Sequence, residues 1–254
     1  MSTDTAPGPL AGRRVLVPRG GAWGERVARL LRERGAAPVI APLIQTREPR
    51  DVAARDRVFA ALADGAYDWV FLTSAASVEQ LVAAGVKVPA GTHIAAVGRA
   101  TARAVTEAGY DVDFVPAGRS SASTMIRQWC ALHDPDRVGR CLVLRSDLAM
   151  AVVSDELEVR GYDLEVCIAY RTVGVDLAPD VLHAVRVGDI DTVLVTSTSV
   201  ARELAEQVGA LPAGTVLASL GPGTTRDAER RGLPVTVTAP DQSIESLIHA
   251  LPPT

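Results

Sequence analysis

The residues able to do chemistry collect at the ends of short apolar runs. Val15-Leu16-Val17 leads into Pro18-Arg19, Val70-Phe71-Leu72 into Thr73-Ser74, and Ile94 to Val97 into Gly98, Arg99 and Thr101. Leu142-Val143-Leu144 ends on Arg145, Val193 to Val195 on Thr196-Ser197, and Leu217 to Leu220 on Gly221 and Thr224. These are donors, with hardly an acid among them. If the runs are strands of a parallel sheet, their carboxyl ends are where ligands bind. Hydroxyls beside the free N–H groups of helix starts attract carboxylates and phosphates, so the ligand expected is polyanionic. The bland alternatives are that each Ser or Thr caps a helix and that each arginine is a solvated rim residue.

Other chemistries have no residues to carry them. There is no G-x-S-x-G elbow, no Ser-His-Asp arrangement and no pair of acids at strand ends. Gly221-Pro222-Gly223 lacks the third glycine of a dinucleotide loop, and no phosphate-binding G-x-x-x-x-G-K-[ST] occurs. His93, His133, His183 and His249 stand far apart, and Cys130, Cys141 and Cys167 form no C-x-x-C pair. The cysteines are expected as reduced packing thiols, and no metal is expected. The formal net charge of −4 does not favour nucleic acid.

The elements that must position these residues come as a duplication. Arg14-Val-Leu-Val-Pro-Arg19 matches Arg140-Cys-Leu-Val-Leu-Arg145 at an offset of 126, and Gly35 matches Gly161 at the same offset. Each copy reads as a strand, a helix closed by glycine (Trp23 to Arg34; Ala149 to Arg160) and a second strand (Val39 to Thr46; Leu164 to Thr172). At an offset of 123, Asp68-Trp-Val-Phe-Leu-Thr-Ser74 matches Asp191-Thr-Val-Leu-Val-Thr-Ser197, the Gly98 segment matches the Gly221 segment, and Gly109 matches Gly232. Segments at Ser121 and Ser243 open one last helix each. This alternation predicts two similar doubly wound α/β halves with parallel sheets, Rossmann-like or flavodoxin-like, working through the cleft between them. The pattern leaves open whether the second strand of each copy pairs at home or crosses to the other sheet.

The composition, 48% hydrophobic and 22% charged over 254 residues, is that of a globular chain able to build a core. Residues 1–12, rich in Ser, Thr, Pro and Gly, read as a flexible tail with neither the charge nor the apolar stretch of a signal peptide. No apolar run approaches the roughly 18 residues of a membrane span, so a cytoplasmic protein is expected.

Taken together, Val15-Leu-Val-Pro-Arg19, Phe71-Leu-Thr-Ser74, Val97-Gly-Arg-Ala-Thr101, Ala169-Tyr170-Arg-Thr172, Val195-Thr-Ser197 and Leu220-Gly-Pro-Gly-Thr224 resemble the uroporphyrinogen-III synthase family from Arg13 to Leu251. The resemblance implies two α/β domains joined by a two-stranded linker, the first discontinuous. Domain one would hold 13–43 and 173–254, domain two 45–170, with crossings near Ile44 to Glu48 and Ala169 to Val173. It further implies closure of the linear tetrapyrrole hydroxymethylbilane to uroporphyrinogen III, with loss of water and inversion of ring D and without a cofactor. The eight substrate carboxylates would account for the donors.

On this resemblance Tyr170 would help expel the ring A hydroxyl, its phenol supplying or relaying a proton. Ser74, Thr101, Ser197 and Thr224 would hold acetate and propionate groups, with Arg19, Arg99 and Arg145 adding charge. Thr73, Gly98, Thr196 and Gly221 complete the candidate binding set. Gly223 departs from the family, which often has a hydroxyl after Gly-Pro, so Thr224 and Thr225 compete for the substrate-facing role. A monomer is the default expectation, no membrane partner is expected, and the resemblance points to hand-over of substrate from hydroxymethylbilane synthase. Two rivals remain. One is a two-domain protein that closes on a small anion. The other is a synthase-like sensor domain, although the chain as given has no stretch left for a helix-turn-helix.

Overall fold

The computed structural model describes residues 8–118 and 120–254; residues 1–7 of the expected tail lie outside the described residues. The chain divides into two compact units, one built from the residues up to Gln45 together with Val173–Thr254, the other from Thr46–Thr172. Unit 1 begins with β1 (Arg14–Val17), α1 (Gly21–Arg32) and β2 (Ala37–Ile40). The chain passes through β3 (Ile44–Arg47) into unit 2, which contains α2 (Val52–Ala63), β4 (Trp69–Leu72), α3 (Ala75–Ala83), β5 (His93–Ala96), α4 (Arg99–Glu107), α5 (Ala122–Cys130), β6 (Cys141–Ser146), α6 (Val152–Val159) and β7 (Leu164–Gly174). It then completes unit 1 with α7 (Pro179–Val187), β8 (Thr192–Val195), α8 (Thr198–Gln207), β9 (Val216–Ser219), α9 (Pro222–Arg230), β10 (Val237–Thr238) and α10 (Ile244–His249).

The sheet orders are β10-β9-β8-β1-β2 and β3-β7-β6-β4-β5. The repeat relates them strand by strand. β4 and β5 begin 123 residues before β8 and β9, and the register Val17↔Ile40 of β1 and β2 recurs 126 residues on as Val143↔Val166 of β6 and β7. Ala95 bridges Phe114 where unit 1 has the β9–β10 pair. Unit 1 has the flavodoxin-like order, and unit 2 sets the equivalent strands side by side in the same way with their chain order permuted. The strand sequence reverses between β1 and β8 in unit 1 and between β6 and β4 in unit 2.

Each sheet is covered on both faces, and strand alternation sorts the side chains. Leu16, Val193, Val195 and Leu217 pack against Val185, Val200, Leu204 and Ala228 of α7, α8 and α9. Val15, Val17, Leu194 and Ala218 face the other way, onto α1 and α10. Unit 2 repeats the arrangement, with Val70, Leu72, Leu142 and Leu144 under α2, α3 and α4 and with Phe71, Cys141 and Val143 under α5 and α6. Complete burial of each Val, Leu or Phe among them stabilises the fold by about 1.5–3 kcal/mol.

The helix ends obey local rules. Ser74, Ser121, Ser197 and Ser243 each accept a hydrogen bond from the backbone N–H three residues ahead. At the other end, Gly35 has φ +90° and Gly161 φ +83°, and the next residue's N–H reaches back to Leu31 and Leu157 respectively. That is the Schellman closure.

The structure corrects three expectations. Gly8 to Gly12 are not a loose tail: Leu10 is fully buried against α1 and α10, and its N–H donates to the Arg34 carbonyl at 2.9 Å. A Cβ at Gly8 would run into that same Arg34 carbonyl, so glycine permits the approach. The strand expected over Val39 to Thr46 is two strands, because Pro42 has no N–H to extend the ladder and Leu43 N–H turns to the Pro18 carbonyl. β3 then joins the other sheet beside β7, and both crossings between units run through these two neighbouring strands. The helix expected over Ala149 to Arg160 is shorter, starting at Val152 after a turn in which Ala149 N–H bonds the Ser146 carbonyl.

Candidate functional site

In unit 2 the strand order reverses between β6 and β4, and four hydroxyls converge at their carboxyl ends. Thr73 Oγ1 and Ser77 Oγ both donate to the Leu144 carbonyl, at 3.2 and 3.3 Å. Ser74 Oγ accepts from Ser77 N–H at 3.2 Å, closing the first turn of α3, and lies 2.8 Å from Tyr170 Oη. Tyr170 itself is 7% exposed.

Backbone register brings Tyr170 there. Leu144 pairs with Cys167 and Arg145 with Ile168, but the next residue, Ser146, pairs with Tyr170, so β7 carries Ala169 as an extra residue. A bulge of this kind re-aims the side chain that follows it. Cys167 and Ala169 share one apolar cluster as strict alternation requires, and Tyr170 joins the same cluster instead of turning away. The Tyr170 carbonyl accepts from Asp147 N–H at 3.1 Å, and Asp147 Oδ1 accepts from Thr172 N–H at 3.1 Å, which fixes the bulged end of the strand.

The other unit 2 candidates are placed as follows. Arg145 bends back onto its own loop, with Nη1 donating to the Ala149 carbonyl at 3.1 Å, while its buried Nε has no protein partner. Gly98 precedes α4, and a Cβ there would collide with the Ser120 side chain. Arg99 is exposed on the first turn of α4, whereas Thr101 is only 4% exposed.

Unit 1 repeats the frame with other side chains. Arg19 lies over the Trp23 ring at 4.9 Å, a cation–π contact that fixes its stem. Ser197 Oγ caps α8 through Val200 N–H at 3.2 Å. Thr196 Oγ1 is buried without a partner; its counterpart Thr73 has the Leu144 carbonyl. The residue 126 positions before Tyr170 is Ile44, so unit 1 has no phenol at the equivalent place.

Gly221 precedes α9, and a Cβ there would meet Gln242 Nε2 at 2.8 Å. Gln242 has φ +50°, which among the described residues no other non-glycine shares in sign, and such a conformation costs about 1 kcal/mol or more. Ser120 and Gln242 each stand immediately before the N-cap of the last helix of their repeat, so both units lay a polar side chain on the equivalent glycine. Behind Gly221, Thr225 Oγ1 donates to Ser219 Oγ at 3.0 Å and lies 2.7 Å from Thr238 Oγ1. Thr225 is therefore engaged inside the unit, and Thr224 is half-buried on the same turn.

Sequence reasoning missed Ser77, Ser120, Gln242 and the structural part of Thr225. Ser77 stood three residues after Ser74, the spacing at which a cap meets its N–H. Nothing in the local sequence marks Gln242.

The profile of the family described as Uroporphyrinogen-III synthase HemD matches residues 25–249. No curated protein sequence matches the chain. Among solved structures, a mutant uroporphyrinogen III synthase from the extremely thermophilic bacterium Thermus thermophilus is 20% identical, with a TM-score of 0.60 over 93% of this chain and 96% of that one. Uroporphyrinogen-III synthetase from Helicobacter pylori is 15% identical, with a TM-score of 0.61 over 93% and 96%. At these identities the two structures speak for the fold.

Proposed function

Because the chain belongs to the uroporphyrinogen-III synthase family, we propose that it is an enzyme cyclising hydroxymethylbilane to uroporphyrinogen III, a lyase reaction that eliminates water and inverts ring D. The observation that carries the chemistry is the Tyr170–Ser74 contact of 2.8 Å at the carboxyl ends of β4 and β6.

In this reading Tyr170 is the proton donor. Loss of the ring A hydroxyl needs a proton on the leaving oxygen, and a positioned phenol O–H supplies it while the substrate forms its azafulvene. Ser74 holds the phenol in direction, and Ser77 and the α3 N-terminus hold Ser74. Ring D must then present its substituted carbon to ring A, which is a matter of placement. Thr73, Thr196, Ser197 and Thr224, with the free N–H groups at the start of α4 and at Gly223 in α9, bind the acetates and propionates that set this placement. Arg19, Arg99 and Arg145 supply positive charge, and the covered Thr101 supports the first turn of α4.

Among the described residues no helix is long and apolar enough to cross a membrane. The reading carries with it a cytoplasmic monomer that takes its labile substrate from hydroxymethylbilane synthase. Supplying the purified protein with fresh hydroxymethylbilane, oxidising the products and resolving the isomers tests it: the type III isomer is expected, and type I alone from folded protein would remove the assignment. No observation favours a sensor or solute-binding role.

A further inference from the structure

Unit 2 contains a pocket of about 820 Å³ between α2 and β7, a size usual for small-molecule sites. Ala54, Val58 and Ala61 lie along one face of α2, at helical spacings of four and three, and the two alanines leave room against the opposite wall. That wall is the edge of β7, where Cys167 stands on the α2 side beside Tyr67 and Glu165, and Val166 and Ile168, alternating to the other face, complete the rim. Neither Tyr170 nor Ser74 lines the pocket.

Charge around the apolar walls is uneven. Five arginines line the pocket against three acids, Asp51, Asp147 and Glu165, an excess of two positive charges. Each acid is already engaged: Asp51 caps α2 through Ala54 N–H, Asp147 accepts from Thr172 N–H, and Glu165 accepts from Tyr67 Oη at 2.6 Å and pairs with Arg140 at 3.1 Å. Arg55 pairs with Glu48 and Asp56, and Arg171 Nε donates to the Glu48 carbonyl. Arg50 and Arg57 make no ion pair among the described residues, and they flank Ala54 on the side that lines the pocket. Planar guanidinium groups favour carboxylates, which they can take two hydrogen bonds at a time.

We propose that this pocket is a separate binding site for a flat aromatic polycarboxylate, its ring against the α2 and β7 walls and its carboxylates on Arg50 and Arg57. None of the strand-end donors lines it, and the proposal does not rest on the synthase reading.

The test uses trimesate, a benzene ring bearing three carboxylates, with the full chain in calorimetric titration and in hydrogen exchange. Exchange should slow in the peptides covering 49–61 and 164–168. Arg50→Ala/Arg57→Ala should weaken binding about tenfold or more, and Ala54→Glu, which sets a negative charge on the α2 wall, should do the same. Arg50 and Arg57 are exposed and Ala54 is half-buried outside the core, so both variants keep the fold. Unchanged affinity in both variants, or no slowing in those two segments, overturns the proposal. Failure to form the type III isomer would remove the synthase reading and leave this result untouched.

Discussion

Tyr170 Oη meets Ser74 Oγ at 2.8 Å only because β7 carries Ala169 as an extra residue opposite β6. With Ala169 paired in regular alternation instead of bulged, the Tyr170 side chain would turn to the other face of the sheet. The same bulge has no equivalent contact in unit 1, where Ile44 stands 126 positions earlier. The duplication therefore supplies two similar frames, and only one of them holds a phenol against a capping serine.

Ser74 and Ser197 cap equivalent helices with equal N–H contacts of 3.2 Å, which separates structural from catalytic loss. Ser74→Ala and Ser197→Ala should each lower stability by about 1 kcal/mol. Ser74→Ala should in addition lower kcat, whereas Ser197→Ala should act chiefly on KM. Denaturant melts beside steady-state kinetics read both; equal kcat losses would deny Ser74 its role in directing Tyr170.

Thr225→Val should cost about 1–3 kcal/mol, because Ser219 and Thr238 lose a buried hydroxyl partner. It should also raise KM by loosening the turn that presents Thr224. Thr225→Ser keeps the hydroxyl and should restore most of both. If the valine variant matches wild type in stability and KM, the hydroxyl network does not hold this turn.

Product binding should slow amide exchange in the first turns of α3 and α4 in unit 2 and of α8 and α9 in unit 1. Mass-spectrometric exchange with uroporphyrinogen or its oxidised porphyrin reads all four segments. Protection confined to one unit would contradict a ligand held by both donor sets.

Burial pushes the Cys141 and Cys167 thiols up to about 12 from an ordinary value of 9.0, with nearby carboxylates adding to the shift. The folded protein thus keeps protons that the unfolded chain releases, so the thiols' contribution to stability should be constant below pH 9 and fall as pH rises from 9 toward 12. Replacing both cysteines by alanine should flatten that fall while lowering stability at neutral pH through lost packing. Denaturant melts at pH 8 and pH 10 provide the check, and an unchanged alkaline slope would show that other groups cause it.

Much of this architecture was written in side-chain pattern. The offsets of 126 and 123 pair β1 with β6 and β4 with β8, and the glycines at 35, 161, 109 and 232 mark helix ends, because apolar periodicity and left-handed caps are local signals. What stayed hidden was non-local. Leu10 looked like part of a polar tail, since a single leucine among Pro, Gly and Ala gives no period. The split at Pro42 and the bulge at Ala169 depend on which neighbour each strand finds. Thr101 and Thr225 read alike as donors, and only packing shows that Thr101 is almost fully covered and that Thr225 bonds Ser219.

The central claim is that the phenol of Tyr170 drives loss of the ring A hydroxyl on a substrate that otherwise closes unaided to the type I isomer. The most direct measurement is the isomer ratio formed from fresh hydroxymethylbilane by wild type and by Tyr170→Phe, each shown folded by circular dichroism. Wild type should give the type III isomer, and the variant, with turnover reduced by about tenfold or more, should let type I accumulate. Type III formed by the folded variant at the wild-type rate would contradict the account.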